Sequence, residues 1–349
     1  MKRRMLCSWL AAAVTAGTSI LAISAAAPAR AADALDLVKV GAPVSIADSA
    51  IFVAIEKGYF REQKIQVEVK PLTSSTIAVT ALASGDLDVS GGSAGGSVVN
   101  AIRQGLDIRL VADKGSSPPG HGYLAFLVRP ELAGKLNSAA DLRGRNVAVT
   151  GWGAGAASEV MVGRLLAQSG LADSELRFIN ISFADILAGL GTGRVDLGLL
   201  VEPLVSQAVQ KGVGVVWKRV DEIYPNQQYT AVFYGPGIIR RPDVADRFMK
   251  AYLQGARFYN EGLKRRGSPQ WDELVSILIK HTSVKDRSLY DKMVFPGINP
   301  DGHLNTTGIR DDMAWFVKAG RMKEAVDIGK VVDHGYVDRA LKTLGRYQP

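Results

Sequence analysis

The sequence predicts an α/β protein made of two similar, doubly wound lobes around a hinged cleft. Three observations carry this expectation. Short β-branched runs alternate with helical patterns over the first two-thirds of the chain, two segments of that region echo each other, and glycine- and proline-bearing stretches interrupt the alternation twice. Because strand–helix alternation with short turns is typical of parallel sheets, two parallel sheets are expected.

The predicted elements follow the chain in order. Ten β-branched runs are predicted to be strands: Leu37–Gly41, Gln66–Pro71, Leu87–Ser90, Arg109–Ala112, Leu124–Val128, Asn146–Thr150, Leu176–Ile181, Val195–Leu200, Val213–Trp217 and Thr230–Tyr234. Seven stretches between them have helical patterns: Ser49–Gly58, Thr76–Ser84, Gly96–Gln104, Ser138–Leu142, Ala157–Gln168, Phe183–Gly191 and Leu204–Lys211. From Asp243 onward the pattern is nearly all helical, with prolines between the helices.

An internal echo indicates that the two lobes are related. Ala81–Val89 and Gly189–Leu197 share the pattern small-Leu-x-Ser/Thr-Gly-x-apolar-Asp-apolar. In each, a helix end is followed by a glycine that suits a left-handed C-cap and then by a buried strand. Although helix–glycine–strand junctions are common, both copies lead into a comparable turn, which favours a duplication.

The breaks in the pattern define the expected domains. The chain should leave the first lobe near Gly115–Tyr123, where Ser-Ser-Pro-Pro-Gly-His-Gly interrupts the alternation, and return near Tyr234–Pro242. The predicted division is residues 32–117 for lobe I, 118–240 for lobe II and 241–349 for C-terminal helices that pack mainly on lobe I. Two crossings make a hinge, and a cleft between hinged lobes is a ligand site by default.

The N-terminus has the pattern of a cleaved export signal. Lys2, Arg3 and Arg4 precede the apolar stretch Met5–Ala27, and Ala29-Arg30-Ala31 supplies an A-x-A cleavage site. A retained membrane anchor is the alternative, since the apolar stretch is long enough to span a bilayer. Residues 1–31 are therefore predicted to be a signal peptide. Its removal would lower the formal net charge of +8 by four and would remove the single cysteine, which precludes disulfides.

Two glycine motifs suggest enzymes, but neither has the supporting residues. Gly151-x-Gly153-x-x-Ala156 matches the dinucleotide fingerprint, yet the next predicted strand ends in Ser182 and not in the acid that would bind the ribose. Gly91-x-Ser93-x-Gly95 has nucleophile-elbow spacing, but only two predicted strands precede it and there is no oxyanion segment. Both readings are disfavoured.

The two glycine turns share a different property, which is a position at a helix N-terminus. There, backbone N–H groups without intrahelical partners and the positive end of the helix dipole bind anions without a charged side chain. The segments around Ser45 and Ser74 have the same layout. The candidate ligand-binding residues, including nearby acids and aromatic residues, are Ser45, Asp48, Ser74, Ser75, Thr76, Gly92, Ser93, Ala94, Tyr123, Trp152, Gly153, Ala154, Ser182, Asp185 and Glu202.

Charge and composition narrow the ligand class. The four turns contain no Lys or Arg, which favours a small, singly charged oxyanion held by N–H and hydroxyl donors over a dicarboxylate or a free amino acid. Basic residues are scattered rather than clustered, so nucleic-acid binding is not supported. With four histidines, no HExxH motif and no Walker lysine, no metal site and no cofactor are predicted.

Four short motifs together resemble a known family. Ala54-Ile-Glu-Lys-Gly-Tyr-Phe60, Ala83–Val89, Asp141–Val149 and Val201-Glu-Pro203 are similar, in this order, to the solute-binding proteins of ABC importers for nitrate, sulfonates and taurine. That group lies within the thiamine-pyrimidine-synthase-like superfamily. The resemblance implies a type II periplasmic binding protein fold and a non-catalytic periplasmic monomer. Such a protein closes on a small organic anion, of sulfonate or carboxylate type, and delivers it to an ABC permease.

The resemblance also implies positions for the ligand. The turns Gly91–Ser97 and Gly151–Ser158 fall on the family's two ligand-facing turns, and Glu202-Pro203 falls on a segment often read as Trp-Glu-Pro, with Val201 in place of the tryptophan. This departure leaves room for a bulkier organic anion. The alternatives are binding or synthesis of a thiamine-pyrimidine precursor, a hydrolase, and a sensory binding protein that reports to a receptor kinase.

Overall fold

The computed structural model describes residues 35–72 and 75–349, with the side chains of Ser75 and Thr76 left out. The predicted signal peptide (residues 1–31) and Ser74 lie outside the described residues. Residues 35–349 form one compact unit. Within the described residues, no helix combines the length and apolar character needed to cross a membrane.

The described residues form ten strands and fifteen α-helices. The strands are β1 (Asp36–Ala42), β2 (Ile65–Pro71), β3 (Val89–Ser93), β4 (Arg109–Ser116), β5 (Leu124–Val128), β6 (Asn146–Ala148), β7 (Arg177–Ile179), β8 (Leu197–Val201), β9 (Val215–Arg219) and β10 (Gln228–Tyr234). The helices are α1 (Ser49–Glu56), α2 (Tyr59–Glu62), α3 (Ser75–Ser84), α4 (Gly96–Arg103), α5 (Ala157–Ala167), α6 (Phe183–Gly191), α7 (Leu204–Gln210), α8 (Val220–Ile223), α9 (Pro236–Ile239), α10 (Pro242–Lys264), α11 (Pro269–His281), α12 (Arg287–Lys292), α13 (Thr306–Lys318), α14 (Ile328–Val331) and α15 (Gly335–Leu344). Short 3₁₀ turns include Ile46–Asp48 and Ala139–Leu142.

The strands form two five-stranded sheets with the same topology. The first has the order β2-β1-β3-β10-β4 and the second the order β7-β6-β8-β5-β9. In each sheet three consecutive strands are parallel, and the fourth position holds a strand antiparallel to its neighbour. The expectation of all-parallel sheets is therefore wrong for β5 and β10, which enter their sheets directly from the other lobe and need no crossover helix.

The two crossings differ in how well they were predicted. The first, between β4 and β5, falls in the predicted Gly115–Tyr123 segment. The second lies earlier than predicted, because Gln228–Tyr234 already pairs with β3 and β4 of the first sheet. The boundary at residue 240 is thus too late. The sequence alone could not show this, since a strand has the same pattern in either sheet.

Each face of each sheet carries its own buried cluster. One face of the first sheet packs on α1, α10, α11 and α15, and the other packs on α3, α4 and α13. The second sheet is covered by α5 and α8 on one face and by α6 and α7 on the other. The residues after 241 add most of their buried side chains to the clusters of the first sheet, so that lobe has the thicker core.

Candidate functional site

The topology places a switch point in each lobe. In the order β2-β1-β3, the connections that leave β1 and β3 run to opposite sides of the sheet, and the same holds for β6 and β8. Ligands of open α/β sheets bind in the crevice outside the carboxyl ends of such strands. The loops after β1, β3, β6 and β8 therefore mark the candidate site. Seven of the fifteen predicted ligand residues lie on these loops: Ser45, Asp48, Ala94, Trp152, Gly153, Ala154 and Glu202.

The loops after β3 and β6 meet directly. The Ser93 hydroxyl accepts a hydrogen bond from the Ala157 N–H at 3.0 Å, and the Ser97 N–H donates to the Gly155 carbonyl at 3.0 Å. Gly95 lies between them, where a Cβ would be 2.6 Å from both the Ala157 nitrogen and the Gly155 oxygen. These contacts join the two lobes directly.

The N-terminus of α5 is occupied by an internal anion. The buried Glu159 carboxylate accepts from the Gly155 N–H at 2.6 Å and from the Ala156 N–H at 3.2 Å. The expectation of N–H groups without intrahelical partners is therefore wrong for Gly155 and Ala156, whereas the Ala157 N–H binds Ser93 of the other lobe. A carboxylate three residues into the helix fulfils the role predicted for a ligand, and the sequence signal for it, an acid at the third helical position, was visible in Glu159.

Trp152 is held by aromatic and cationic neighbours. Its ring stacks on Phe178 with centroids 3.6 Å apart, and the Arg321 guanidinium lies 4.5 Å from the Trp152 ring centroid on the C-terminal side of α13. Arg321 also forms an ion pair with Glu159. The indole is thus fixed by this cluster, and the neighbouring Gly153 and Ala154 are exposed at the tip of the turn.

The loop after β1 contains a buried ion pair. One oxygen of Asp48 accepts from the Ser45 N–H at 2.8 Å and so caps the turn, while the other lies 2.7 Å from the Lys114 Nζ. Both ionised side chains are almost completely buried. Sequence reasoning missed Lys114 because it lies on β4, outside the four turns that were searched for basic residues.

Tyr123 and Glu202 lie at the base of lobe II. Tyr123 is fully buried, packs edge-on against Tyr229 at 6.2 Å, and shares a buried cluster with Ala47 of the loop after β1. The Glu202 carboxylate accepts from the Ser206 N–H at 2.9 Å at the start of α7, and its burial raises the pKa of that carboxyl. The Glu202-Pro203 peptide bond is cis. Glu202 therefore serves as a helix cap in this structure.

The remaining candidates fall into three groups. Ser182 and Asp185 are exposed and cap α6, with the Asp185 N–H donating to the Ser182 hydroxyl at 3.2 Å. Gly92 pairs with β10 inside the sheet, and the N–H of the buried Ala94 donates to the Tyr229 carbonyl. Ser75 and Thr76 begin α3, directly after β2, and so lie at the same edge of the sheet as the loops after β1 and β3. Only the backbone of these two residues is described.

The hinge contains a polar cavity that sequence reasoning did not foresee. The two crossing segments pair with each other, since the Ser117 N–H donates to the Gln227 carbonyl and the Asn226 N–H donates to the Ser117 carbonyl. Beside them a cavity of about 370 Å³ is lined by polar groups that include Asp113 and Gln228. None of the fifteen candidate residues lines this cavity, which lies at the hinge.

The hydrolase reading gains no support from the histidines. His281 and His303 contact Glu56 and Asp338, His121 contacts the Phe295 carbonyl, and His334 accepts from the Leu304 N–H. None of these four contacts involves Ser93. Across residues 35–72 and 75–349, no three His, Cys, Asp or Glu side chains are grouped so that they could hold a metal ion.

Comparison with known structures defines the fold. The chain is similar in structure to the nitrate-binding protein NrtA from Synechocystis PCC 6803, with a TM-score of 0.72, 14% identity and 89% of each chain covered. It is also similar to the aliphatic sulphonate binding protein SsuA from Escherichia coli, with a TM-score of 0.67, 16% identity, and 87% of this chain and 99% of that chain covered. A ligand-binding component of an ABC-type import system from Staphylococcus aureus, described with zinc bound, gives a TM-score of 0.71 at 14% identity, with 87% and 99% covered. The chain thus has the periplasmic binding protein fold, as the sequence predicted.

The family follows from the sequence match. Residues 47–261, more than half of the chain, match the model of the family described as NMT1/THI5 like. The chain belongs to this family. A search of curated protein sequences finds no match.

Proposed function

We propose that this chain is a non-catalytic, periplasmic solute-binding protein that captures a small organic anion and delivers it to an ABC importer. The observation that carries the proposal is the meeting of the two switch-point loops, Ser93 with Ala157 and Ser97 with Gly155. Two lobes joined through the loops that should hold the ligand are the expected closed state of such a protein. The family membership and the importer components among its structural relatives support the same function.

The ligand would lie between the lobes at the carboxyl ends of β1, β3, β6 and β8. Ser45 and Ser93 would contact it from lobe I, and the turn Trp152–Ala154 from lobe II. Closure requires that the ligand bind the closed state more tightly than the open one, which a ligand that touches both lobes achieves. Residues 118 to about 227 would then move as one body against the rest, about the paired hinge segments at Ser117 and Asn226.

A sulfonate or carboxylate is the proposed acidic group. The relatives named for sulfonate and nitrate bind small oxyanions, and this likeness supports an oxyanion group on the ligand of this chain. The sulfonate or carboxylate would carry an organic substituent, because Val201 stands where the family often has a bulkier tryptophan and its side chain is only partly buried.

Thermal unfolding of the purified protein with a ligand panel tests the proposal. The panel holds alkyl and aryl sulfonates, taurine, nitrate, aromatic carboxylates and thiamine pyrimidines, and carried-over ligand is first removed by unfolding and refolding. A compound at a thousand times its dissociation constant stabilises the folded state by about 4 kcal/mol. A large rise in Tm with one class supports binding and names the ligand. Conversion of a panel compound, seen by chromatography, would instead overturn the non-catalytic assignment.

A further inference from the structure

Lys114 extends from β4 to the loop after β1. Its aliphatic chain passes over β3 at Gly91, where a Cβ would lie 2.6 Å from the Lys114 Cδ, and its Nζ reaches the Asp48 carboxylate. Gly91 has to lack a side chain for this path to exist. Glycine is therefore needed at position 91 to make room for the Lys114 side chain. It is not needed for an unusual backbone conformation, because Gly91 lies in an ordinary strand.

The Lys114 ammonium lies at the switch point of lobe I. Asp48 closes the loop after β1, and Gly91 is two residues before Ser93, whose hydroxyl contacts lobe II. The crevice between β1 and β3 is where an open α/β sheet binds its ligand. The same loop after β1 carries Ala47, which belongs to the same buried cluster as Tyr123 and Tyr229.

The ion pair leaves donors unused. The Lys114 Nζ makes no hydrogen bond to any residue of the described part of the chain. Asp48 lies close enough to balance the charge of the ammonium, but it accepts none of the N–H donors in a hydrogen bond. An ammonium carries three N–H donors, and burying them without acceptors is costly. The second oxygen of Asp48 accepts a hydrogen bond from the Ser45 N–H, which fixes the carboxylate in place. Asp48 therefore contacts the ammonium on one side only.

The helix N-termini of the cleft offer fewer free N–H donors for an anion than the sequence suggested. At the N-terminus of α5, the N–H groups of Gly155 and Ala156 are taken by Glu159. We propose that Lys114 binds the acidic group of the ligand, with Asp48 as the residue that positions its ammonium and Gly91 as the residue that gives it room. This inference rests on the proposed function and assigns the ligand an anionic group at the lobe I side of the cleft.

Paired probes of equal shape and different charge test the inference. Binding of benzoate, benzamide, benzenesulfonate and benzenesulfonamide is measured by calorimetry on the wild-type protein and on the double variant Asp48→Asn, Lys114→Met, which removes both charges and leaves none unpaired. The matched control is Lys57→Met, Glu273→Gln, because that exposed pair has the same 2.7 Å separation and lies on the helical surface of lobe I. Unfolding without ligand shows whether each variant folds.

The expected result is a loss of charge discrimination. The wild-type protein and the control bind an anion in preference to its neutral partner, whereas the double variant binds the anion about 10- to 100-fold more weakly and the neutral partner with little change. Anion affinity within twofold of wild type in the folded double variant would overturn the role of Lys114 and leave the proposed function standing. Failure of every anion in this set and in the larger panel to bind the wild-type protein would overturn both.

A measurement on the wild-type protein decides the question if the double variant does not fold. In protein labelled with ¹⁵N-lysine, the buried Lys114 ammonium should give a slowly exchanging signal. Addition of the anion that binds should shift that signal, while the signal of the exposed Lys57 ammonium stays in place. An unshifted Lys114 signal at saturating anion would contradict the inference.

Discussion

Asp88 and Asp196 make the same contacts in the two lobes. The Oδ2 atom of each accepts from a backbone N–H of the strand at the equivalent sheet position, Lys39 of β1 at 2.9 Å and Asn146 of β6 at 3.0 Å. The Oδ1 atom of each binds an arginine that follows the antiparallel strand of the sheet, Arg241 at 2.6 Å and Arg129 at 2.8 Å. The two lobes therefore repeat a contact set as well as a topology, which supports their origin by duplication.

Replacement of either aspartate by alanine should destabilise the protein. Each carboxylate is largely buried, and its loss leaves a backbone N–H and an arginine without their acceptor. We expect each variant to lower the free energy of unfolding by about 2 kcal/mol, measured by urea denaturation. Because the two sites lie in different lobes, the losses should add in the double variant within about 0.5 kcal/mol.

The control for this prediction is Asp243→Ala. Asp243 pairs with Arg247 at 3.0 Å but is exposed, and such surface pairs contribute about 0–1 kcal/mol. If Asp88→Ala and Asp196→Ala destabilise no more than this control, the shared contacts are not structurally important.

The fold was largely predictable because its signals are local. All ten predicted strands are present, and Gly85 and Gly193 both have the predicted left-handed backbone, with φ of 83° and 73°. The errors concern pairing partners. β10 and β5 have ordinary strand patterns, and nothing in those residues specifies antiparallel neighbours or the lobe to which each strand belongs.

The candidate site was less predictable because its key contacts are long-range. Loop positions and the Ser182 cap follow from local pattern, but Lys114 meets Asp48, and Arg321 meets Glu159, only after folding. A search confined to turns cannot find a lysine that reaches a turn from a distant strand. The same limit explains why Glu159 was not predicted to occupy the helix N-terminus that was assigned to a ligand.

Removal of Arg321 alone should destabilise the protein more than removal of Arg321 together with the charge of Glu159. Glu159 is completely buried, so Arg321→Met leaves a buried carboxylate without its cation and should cost about 3 kcal/mol. In the double variant Glu159→Gln, Arg321→Met the loss should be smaller, because no buried charge is left. Chemical denaturation of both variants checks this. A double variant less stable than Arg321→Met would show that Glu159 contributes mainly through the Gly155 and Ala156 N–H groups.

Two buried acids should make stability fall as pH rises from about 4 to about 7. Burial raises the pKa of Asp113 to about 6 and the pKa of Asp312 to about 7, from an ordinary value of 3.8. In this interval the folded state binds more protons than the unfolded state, so these groups lower the free energy of unfolding as pH rises. Asp312→Asn should abolish the contribution of Asp312 to this pH dependence and stabilise the protein by up to about 4 kcal/mol above pH 7.

The Asp312 prediction is checked by urea unfolding between pH 4 and pH 8, with the exposed neighbour changed in Asp311→Asn as the control. The comparison is made as a difference from wild type at each pH, because the lowered pKa of Glu56, which hydrogen-bonds to Lys280, acts in the opposite direction in acid. A constant difference between Asp312→Asn and wild type across the range would contradict the prediction.

Gly95→Ala should weaken ligand binding without unfolding the protein. Gly95 has an extended backbone, φ −83° and ψ −173°, which alanine adopts without strain. Its Cβ would nevertheless collide with the Ala157 nitrogen and the Gly155 oxygen, so the two loops cannot close fully. If the closed state becomes tenfold rarer, the apparent affinity falls about tenfold.

Two measurements check the Gly95→Ala prediction. Calorimetry with the anion that binds wild type should show weaker binding, and small-angle scattering at saturation should show a larger radius of gyration. The control is Gly329→Ala, where the added Cβ meets only ordinary contacts at 3.6 Å. Wild-type affinity and radius in Gly95→Ala would show that closure does not require the contact between these loops.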